Sequence, residues 1–438
     1  MGGGFVSRSN GAVGKRILML AWLADPERGS EWAAGWGMAY AAAALGRVTL
    51  LVRPDCVAPI RAWCAEHPAT AIEPVAVEPP AGARPSLARF LPKGHFLDYL
   101  AWLEAAGEVA RGLVARERFD LAVHAALGCY WLPSPVVGLG IPSVWGPVGG
   151  ATRPPPALLP LLGLGGLVAR AGERLAHAVG ARLPATRATM HGADRVLVEC
   201  RSTLAVLPAA VAARARVLNR AVLTRLPALP AAPARPRGRF VLFLSTLHAH
   251  KGPDLALDAL RTLPEGVELW IANDGPEEAR LRRRAAEPGL EGRVRFLGRV
   301  PRGRCFELMR EAGAVLFAGI HEDGGCALCE AMLLGAPVAV LAHGGPREIV
   351  ERWGTDRARV RLVPPAGPAE TARALGQALG ELLARPATAN GPLLDQAGAT
   401  LAFLAELEEA MAVAARAPRA RPDRALPQQP AEPALPAL

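Results

Sequence analysis

AVLFAGIHEDGGCALCEAMLLGAPVAVLAHGGPREIV, residues 314–350, decides how the rest of the chain reads. It runs strand, glycine-bearing loop, helix, strand, loop, helix, the cadence of a parallel sheet covered by helices. Glu322 sits in the loop, and Glu330 lies eight residues on, two turns into a helix that begins near Gly325. Between them, Gly324 and Gly325 let backbone amides approach an anion at the positive helix N-terminus, with Cys326 and Ala327 in its first turn. This geometry suits a diphosphate over the helix start. One carboxylate then lies on the far side of the phosphates, and the other lies deeper, able to accept two vicinal hydroxyls such as a ribose offers.

Outward from this unit the same cadence recurs. RFVLFLST, VELWIAN, RVRFLG and ARVRLVP are further strands of the second half, and KRILMLAW (15–22), RVTLLVR, DLAVH (120–124), IPSVWG and DRVLVE are strands of the first. Their apolar runs are continuous, as expected where both faces of a parallel sheet are buried. The proline-rich LPALPAAPARPRG (226–238) separates the halves as a semi-rigid linker. The expected order is a flexible leader (1–14), a Rossmann-like domain (15–225), the linker (226–238), a second Rossmann-like domain (239–395), a C-terminal helix (396–416) and a disordered tail (417–438). The fold class is α/β, with two doubly wound domains facing a central cleft where ligands bind.

The 314–350 stretch resembles the signature of retaining glycosyltransferase family 4. There two glutamates bracket seven residues, and the second opens an E-A-M-x-x-G-x-P-V run, here Glu330-Ala331-Met332, Gly335 and Pro337-Val338. The resemblance implies a GT-B fold and covers nearly the whole chain. STLHAHKGPDLALDAL (245–260) resembles the family's diphosphate-holding turn: Lys251 and Gly252 match, while Thr246 stands where the family has Arg. A hydroxyl is no substitute for a guanidinium fork at a phosphate; His248, His250 or an Arg of the first domain are the candidate replacements. The resemblance assigns Gly275 to the base pocket and the backbone around Arg299 and Val300 to the nucleobase.

In the first half, LADPERGSEWAAGWGMAYA (23–41) is similar to the glycine loop of a bacterial branch, bringing Gly29 and Ser30 near the donor phosphate or the acceptor. Ordinary helix capping by Ser30 is equally expected. His124 ends a strand, and the branch resemblance points it into the cleft toward the transferred sugar. IPSVWGPVGGATRPPP (141–156) resembles the branch's G-P-V-G-G loop and assigns Gly149 and Gly150 to the acceptor side.

The resemblance implies transfer from a nucleotide sugar with retention of configuration, Glu322 positioning the sugar. It implies neither cofactor nor metal, with Lys251 and the helix N-terminus meeting the leaving diphosphate. No D-x-D element sits at a strand end to hold a divalent ion. The acceptor is a small molecule or a lipid-linked glycan. The other reading is a catalytically impaired scaffold that binds nucleotide or glycan, which Thr246 keeps open. A formal charge of +10 raises nucleic acid as a partner, but basic and aromatic residues do not interleave as base stacking needs, so none is expected. Seven cysteines without a disulfide framework fit a reducing cytoplasm, and Cys326-x-x-Cys329 lacks the further ligands of a zinc site. PPPALLPLLGLGGLVARAG is too broken to span a bilayer. With Arg170, Arg174, Arg182 and Arg187 following its start, it suits either peripheral membrane association or packing beside the cleft.

Overall fold

The computed structural model describes residues 14–79, 94–227, 238–385 and 391–416. The expected leader (all but Gly14), most of the linker and the 417–438 tail lie outside the described residues.

Seven strands form the first sheet: β1 (Lys15–Ala21), β2 (Gly46–Val52), β3 (Ile72–Ala76), β4 (Leu121–Ala126), β5 (Ser143–Val148), β6 (Arg195–Val198) and β7 (Arg216–Val217). They run parallel in the order β3-β2-β1-β4-β5-β6-β7. The second sheet holds β8 (Phe240–Phe243), β9 (Glu268–Ala272), β10 (Val294–Gly298), β11 (Ala314–Phe317), β12 (Val338–Leu341) and β13 (Val360–Val363). It is also parallel, in the order β10-β9-β8-β11-β12-β13. In each sheet the order reverses beside the first strand, which opens a crevice at the carboxyl ends.

Residue alternation explains the apolar runs. In β1, Ile17 and Met19 pack into one apolar cluster while Leu18 and Leu20 pack into another on the opposite face. In β8, Phe240 and Leu242 face one cluster, Val241 and Phe243 another. Successive side chains point to opposite faces, so a strand covered on both sides reads as a near-continuous apolar run.

The last helix, Gln396–Arg416, returns to the first domain although it follows the second in sequence. Its Phe403 and Leu407 are fully buried, and Glu406 pairs with Arg195 of β6. One apolar cluster therefore runs through both domains behind the cleft, joining Ile17 and Leu223 to Leu242 and Met332.

Candidate active site

A cleft of about 720 Å³ opens between the domains at the carboxyl ends of both sheets. Gly29, Ser30, Glu31, Trp32 and Arg220 line it from the first domain; Thr246, Lys251, Val300, Arg302, Glu322, Gly324, Gly325, Cys326, Ala327 and Glu330 line it from the second.

The second-domain wall follows from local geometry. After β8 the chain makes a 3-10 turn over Ala249–Lys251 and reverses at Gly252, whose φ is 73°. A Cβ at that position would lie 2.1 Å from the Ala318 carbonyl oxygen, so only glycine lets the turn press against the end of β11. This closeness brings Lys251 Nζ to 2.6 Å from Glu322 Oε1. The Glu322 carbonyl accepts from Gly345 N at 3.0 Å. A Cβ on Gly344, at φ 57°, would come within 2.3 Å of that carbonyl oxygen, so the glycine pair is what lets the Gly344–Trp353 helix seat against the loop.

The helix Cys326–Leu333 starts in the cleft with no side-chain cap, leaving its first amides available to an anion. Glu330 lies deeper and is 5% exposed. Burial pushes its carboxyl up, while Arg302 Nη2, 2.8 Å from Oε1, opposes that shift. Arg302 also reaches across the cleft, donating from Nη1 to the Pro26 carbonyl at 3.4 Å, and its buried Nε has no hydrogen-bond partner.

Some expected residues stand elsewhere. His124 does not line the cleft. It is 2% exposed, with Nε2 2.8 Å from Tyr99 Oη and Nδ1 2.8 Å from Ser134 Oγ. Burial, then the Arg220 charge, pushes its pKa down to about 4, which keeps the ring neutral. The reason is parity: His124 shares a sheet face with Ala122, toward the cluster beneath the Gly94–Arg116 helix. Gly149 packs against Glu199 and Asp323 in the seam between domains, and Gly150 packs against Trp131, so neither lines the cleft. Gly275 lies against the Leu247 backbone outside the cleft lining, where Asn273 stands instead. Arg299 points to solvent and pairs with Asp274 at 2.8 Å; its neighbour Val300 lines the cleft. Ser30 takes the N-cap position of the Glu31–Ala42 helix at φ 58°, but its side chain makes no capping hydrogen bond. Neither His248 nor His250 lines the cleft beside Thr246, and burial, then Lys251, pushes His250 down to about 3. Cys326 and Cys329 are free thiols, and among the described residues no group of three or more His, Cys, Asp or Glu is gathered as metal ligands would be.

The sequence reading missed the charges of the first-domain wall. Arg220 Nη2 donates to Glu31 at 2.9 Å, and Nη1 lies 2.7 Å from Glu199 Oε1 and 3.2 Å from the Pro147 carbonyl. Glu199 is fully buried and neither carboxyl oxygen has an aligned hydrogen bond. Burial pushes its pKa up to about 8 against the downward pull of Arg220. Beside it, Asp323 of the glutamate loop is held by the first domain: Thr152 Oγ1 donates to Oδ1 at 2.7 Å, and Asn219 Nδ2 to the Asp323 carbonyl at 2.7 Å. The available signal was a charge ending the apolar strand DRVLVE and another opening the apolar turn RAVL.

Residues 230–381 match the family model described as glycosyl transferases group 1. Over 111 residues the chain is 31% identical to 2-deoxystreptamine glucosyltransferase of Streptomyces kanamyceticus, a match covering 25% of this chain and 29% of the relative. The matches span between 26% and 35% of the length of the curated relatives. Among solved structures it is similar to a sucrose-phosphate synthase from Thermosynechococcus elongatus (18% identity, 91% of this chain and 99% of that one, TM-score 0.53). It is also similar to Anabaena HepE in complex with UDP-glucose (16% identity, 90% and 99%, TM-score 0.51). At such identities the likeness concerns architecture, and the chain has the GT-B fold.

Proposed function

We propose that this protein moves a sugar from a nucleoside diphosphate sugar to an acceptor hydroxyl, with retention at the anomeric carbon and without a resident metal. The observation that carries the reading is the Lys251–Glu322 pair beside the uncapped start of the Cys326–Leu333 helix, with Glu330 buried behind it. The group 1 match over 230–381 supports it, as do a glucosyltransferase relative and a fold neighbour crystallised with UDP-glucose.

In this reading the ribose hydroxyls go to Glu330 and the diphosphate to the helix start and Lys251. Donor binding exchanges the Lys251–Glu322 contact for contacts to phosphate and sugar hydroxyls respectively. The anomeric C–O bond breaks and its electron pair stays on the diphosphate, stabilised by Lys251 and the helix amides. The acceptor oxygen attacks from the same face and passes its proton to the departing phosphate oxygen. Arg302 takes the part of the guanidinium absent at Thr246: it lines the cleft, keeps an unused Nε–H, and leaves Glu330 once hydroxyls arrive. The acceptor is a glycan, glycolipid or natural product met in the cytoplasm. Thr246 favours one other reading, a scaffold that binds donor without turnover.

The test is a thermal-shift and hydrolysis screen against UDP, GDP, TDP and ADP sugars, with and without EDTA, on wild type, Glu330→Ala and Lys251→Ala. One nucleotide should stabilise the wild type and be hydrolysed slowly regardless of EDTA, with both variants weakened. Binding without hydrolysis points to the scaffold, and a folded protein that answers no nucleotide overturns the reading.

A further inference from the structure

We propose that the helix Gly163–Gly180 and the turn after it form a docking surface for an anionic lipid membrane. Seven large apolar side chains are exposed among the described residues, and five of them are here: Leu164 (84%), Val168 (73%), Leu175 (69%), Val179 (55%) and Leu183 (48%). At 3.6 residues per turn the four helical ones fall within an arc of about 60°, a single stripe about 23 Å long. Contiguous exposed apolar surface of this kind marks an interaction site.

The opposite face is already engaged, which fixes the stripe outward. Arg170 Nη1 lies 2.7 Å from His321 Nδ1 in the second domain and pairs with Glu173, while His177 stacks on Trp131 at 4.6 Å. His321 immediately precedes Glu322, so the helix is tied to the loop that carries the cleft carboxylate.

Charge selects the occupant. Arg174, Arg182 and Arg187 are exposed along the helix and the turn, and residues 163–192 contain one acid, Glu173, which is turned toward Arg170. A second copy packed on the same stripe would set arginines against arginines. One helical face about 10 Å wide also falls short of the roughly 800 Å² per partner of a stable dimer. An anionic bilayer satisfies both features, taking apolar side chains between its headgroups and holding arginines at its charged surface. No described helix is long and apolar enough to cross a membrane, so the helix would lie along the surface.

The test is flotation of the full chain with vesicles of phosphatidylcholine alone or with one-third phosphatidylglycerol, at low and high salt. Wild type should bind the anionic vesicles about tenfold more than the neutral ones, and lose that binding as salt rises. Val168→Asp with Leu175→Asp should abolish binding, and Arg174→Glu with Arg182→Glu should erase the preference for anionic lipid. These side chains are exposed, so an unchanged melting temperature certifies that each variant folds. Equal flotation of wild type and the apolar double variant, or binding to neither vesicle, overturns the proposal. A wild-type dimer that the same double variant dissolves assigns the stripe to a second copy and overturns it as well. Docking does not rest on the sugar-transfer reading, and the nucleotide screen fails or succeeds independently of it.

Discussion

The two walls of the cleft stand on the same kind of parallel sheet but gather their charges over very different lengths of chain. On the second-domain wall, Glu322, the helix start and Glu330 come from nine consecutive residues, joined by Lys251 from the neighbouring strand end. On the first-domain wall, Arg220 meets a glutamate 189 positions away and another just past the end of β6. Their exposure differs as well. Lys251 and Glu322 are 26% and 23% exposed, so water screens the pair and each partner can let go for a ligand. Arg220 and Glu199 are 10% and 0% exposed, so losing the guanidinium leaves a buried carboxyl, and losing the carboxyl a buried cation, without its polar partner. The exchangeable pair suits chemistry, and the buried one holds the geometry in which that chemistry is arranged.

The sharpest way to break this comparison is to remove one cation from each wall. Arg220→Ala should lower unfolding free energy by about 2 kcal/mol or more, read from the urea midpoint, since it leaves Glu31 and the buried carboxyl of Glu199 without their partner. Lys251→Ala should leave that midpoint within about 1 kcal/mol of wild type, yet cut sugar transfer or donor hydrolysis about 100- to 1000-fold. Equal stability losses in the two variants would erase the distinction between the walls.

The pH dependence sharpens it next. Glu199 keeps its proton up to about pH 8 in the folded protein and releases it near 4.5 when unfolded. The folded state thus holds the extra proton between those values, and stability should fall as pH rises through that window. His124 acts at the acid end: folded it protonates only near pH 4, unfolded near 6.5, so stability should also fall as pH drops from 6.5 toward 4. The two opposite slopes cancel where the windows overlap, so melting temperature should fall above about pH 6.5 and below about 4.5, and Glu199→Gln should flatten the alkaline limb and extend the His124 fall up to about pH 6.5. An unchanged alkaline limb would mean that Glu199 is already ionised.

The smallest effect concerns the seam. Thr152→Val removes one hydrogen bond to the Asp323 carboxylate and should cost about 1.5 kcal/mol in the urea midpoint. The Thr152 amide, 3.2 Å from the same oxygen, and Cys200 Sγ, at 3.5 Å, remain as its partners. No change at all would show that the Thr152 hydroxyl adds nothing to the hold that Asn219 and the Thr152 amide keep on Asp323.

Much of the second-domain wall was legible because its signals are local. The spacing of Glu322, Gly324, Gly325 and Glu330, and the Lys251-Gly252 turn, already state which backbone lies near which side chain, since helix and turn geometry fix distances over a few residues. His124 was placed on the right strand and given the wrong surroundings. Its position at a strand end says nothing of which neighbours cover that face of the sheet, and Tyr99 and Ser134 lie on other segments.

What the sequence determined by itself is the repeating strand-and-helix cadence, and hence two doubly wound sheets with a glutamate-bearing loop at a strand end. Apolar runs, glycines and helix starts impose those through short-range sterics and hydrogen bonding. The tertiary structure alone decided that Arg220 joins Glu31 to Glu199, that Arg302 closes over Glu330, and that Asp323 is fastened to Thr152 and Asn219. Each of these contacts is a charged or polar group whose partner arrives from a distant segment. Pairing of that kind is selected by the cost of burying a charge alone, a cost that exists only once the domains have closed around it.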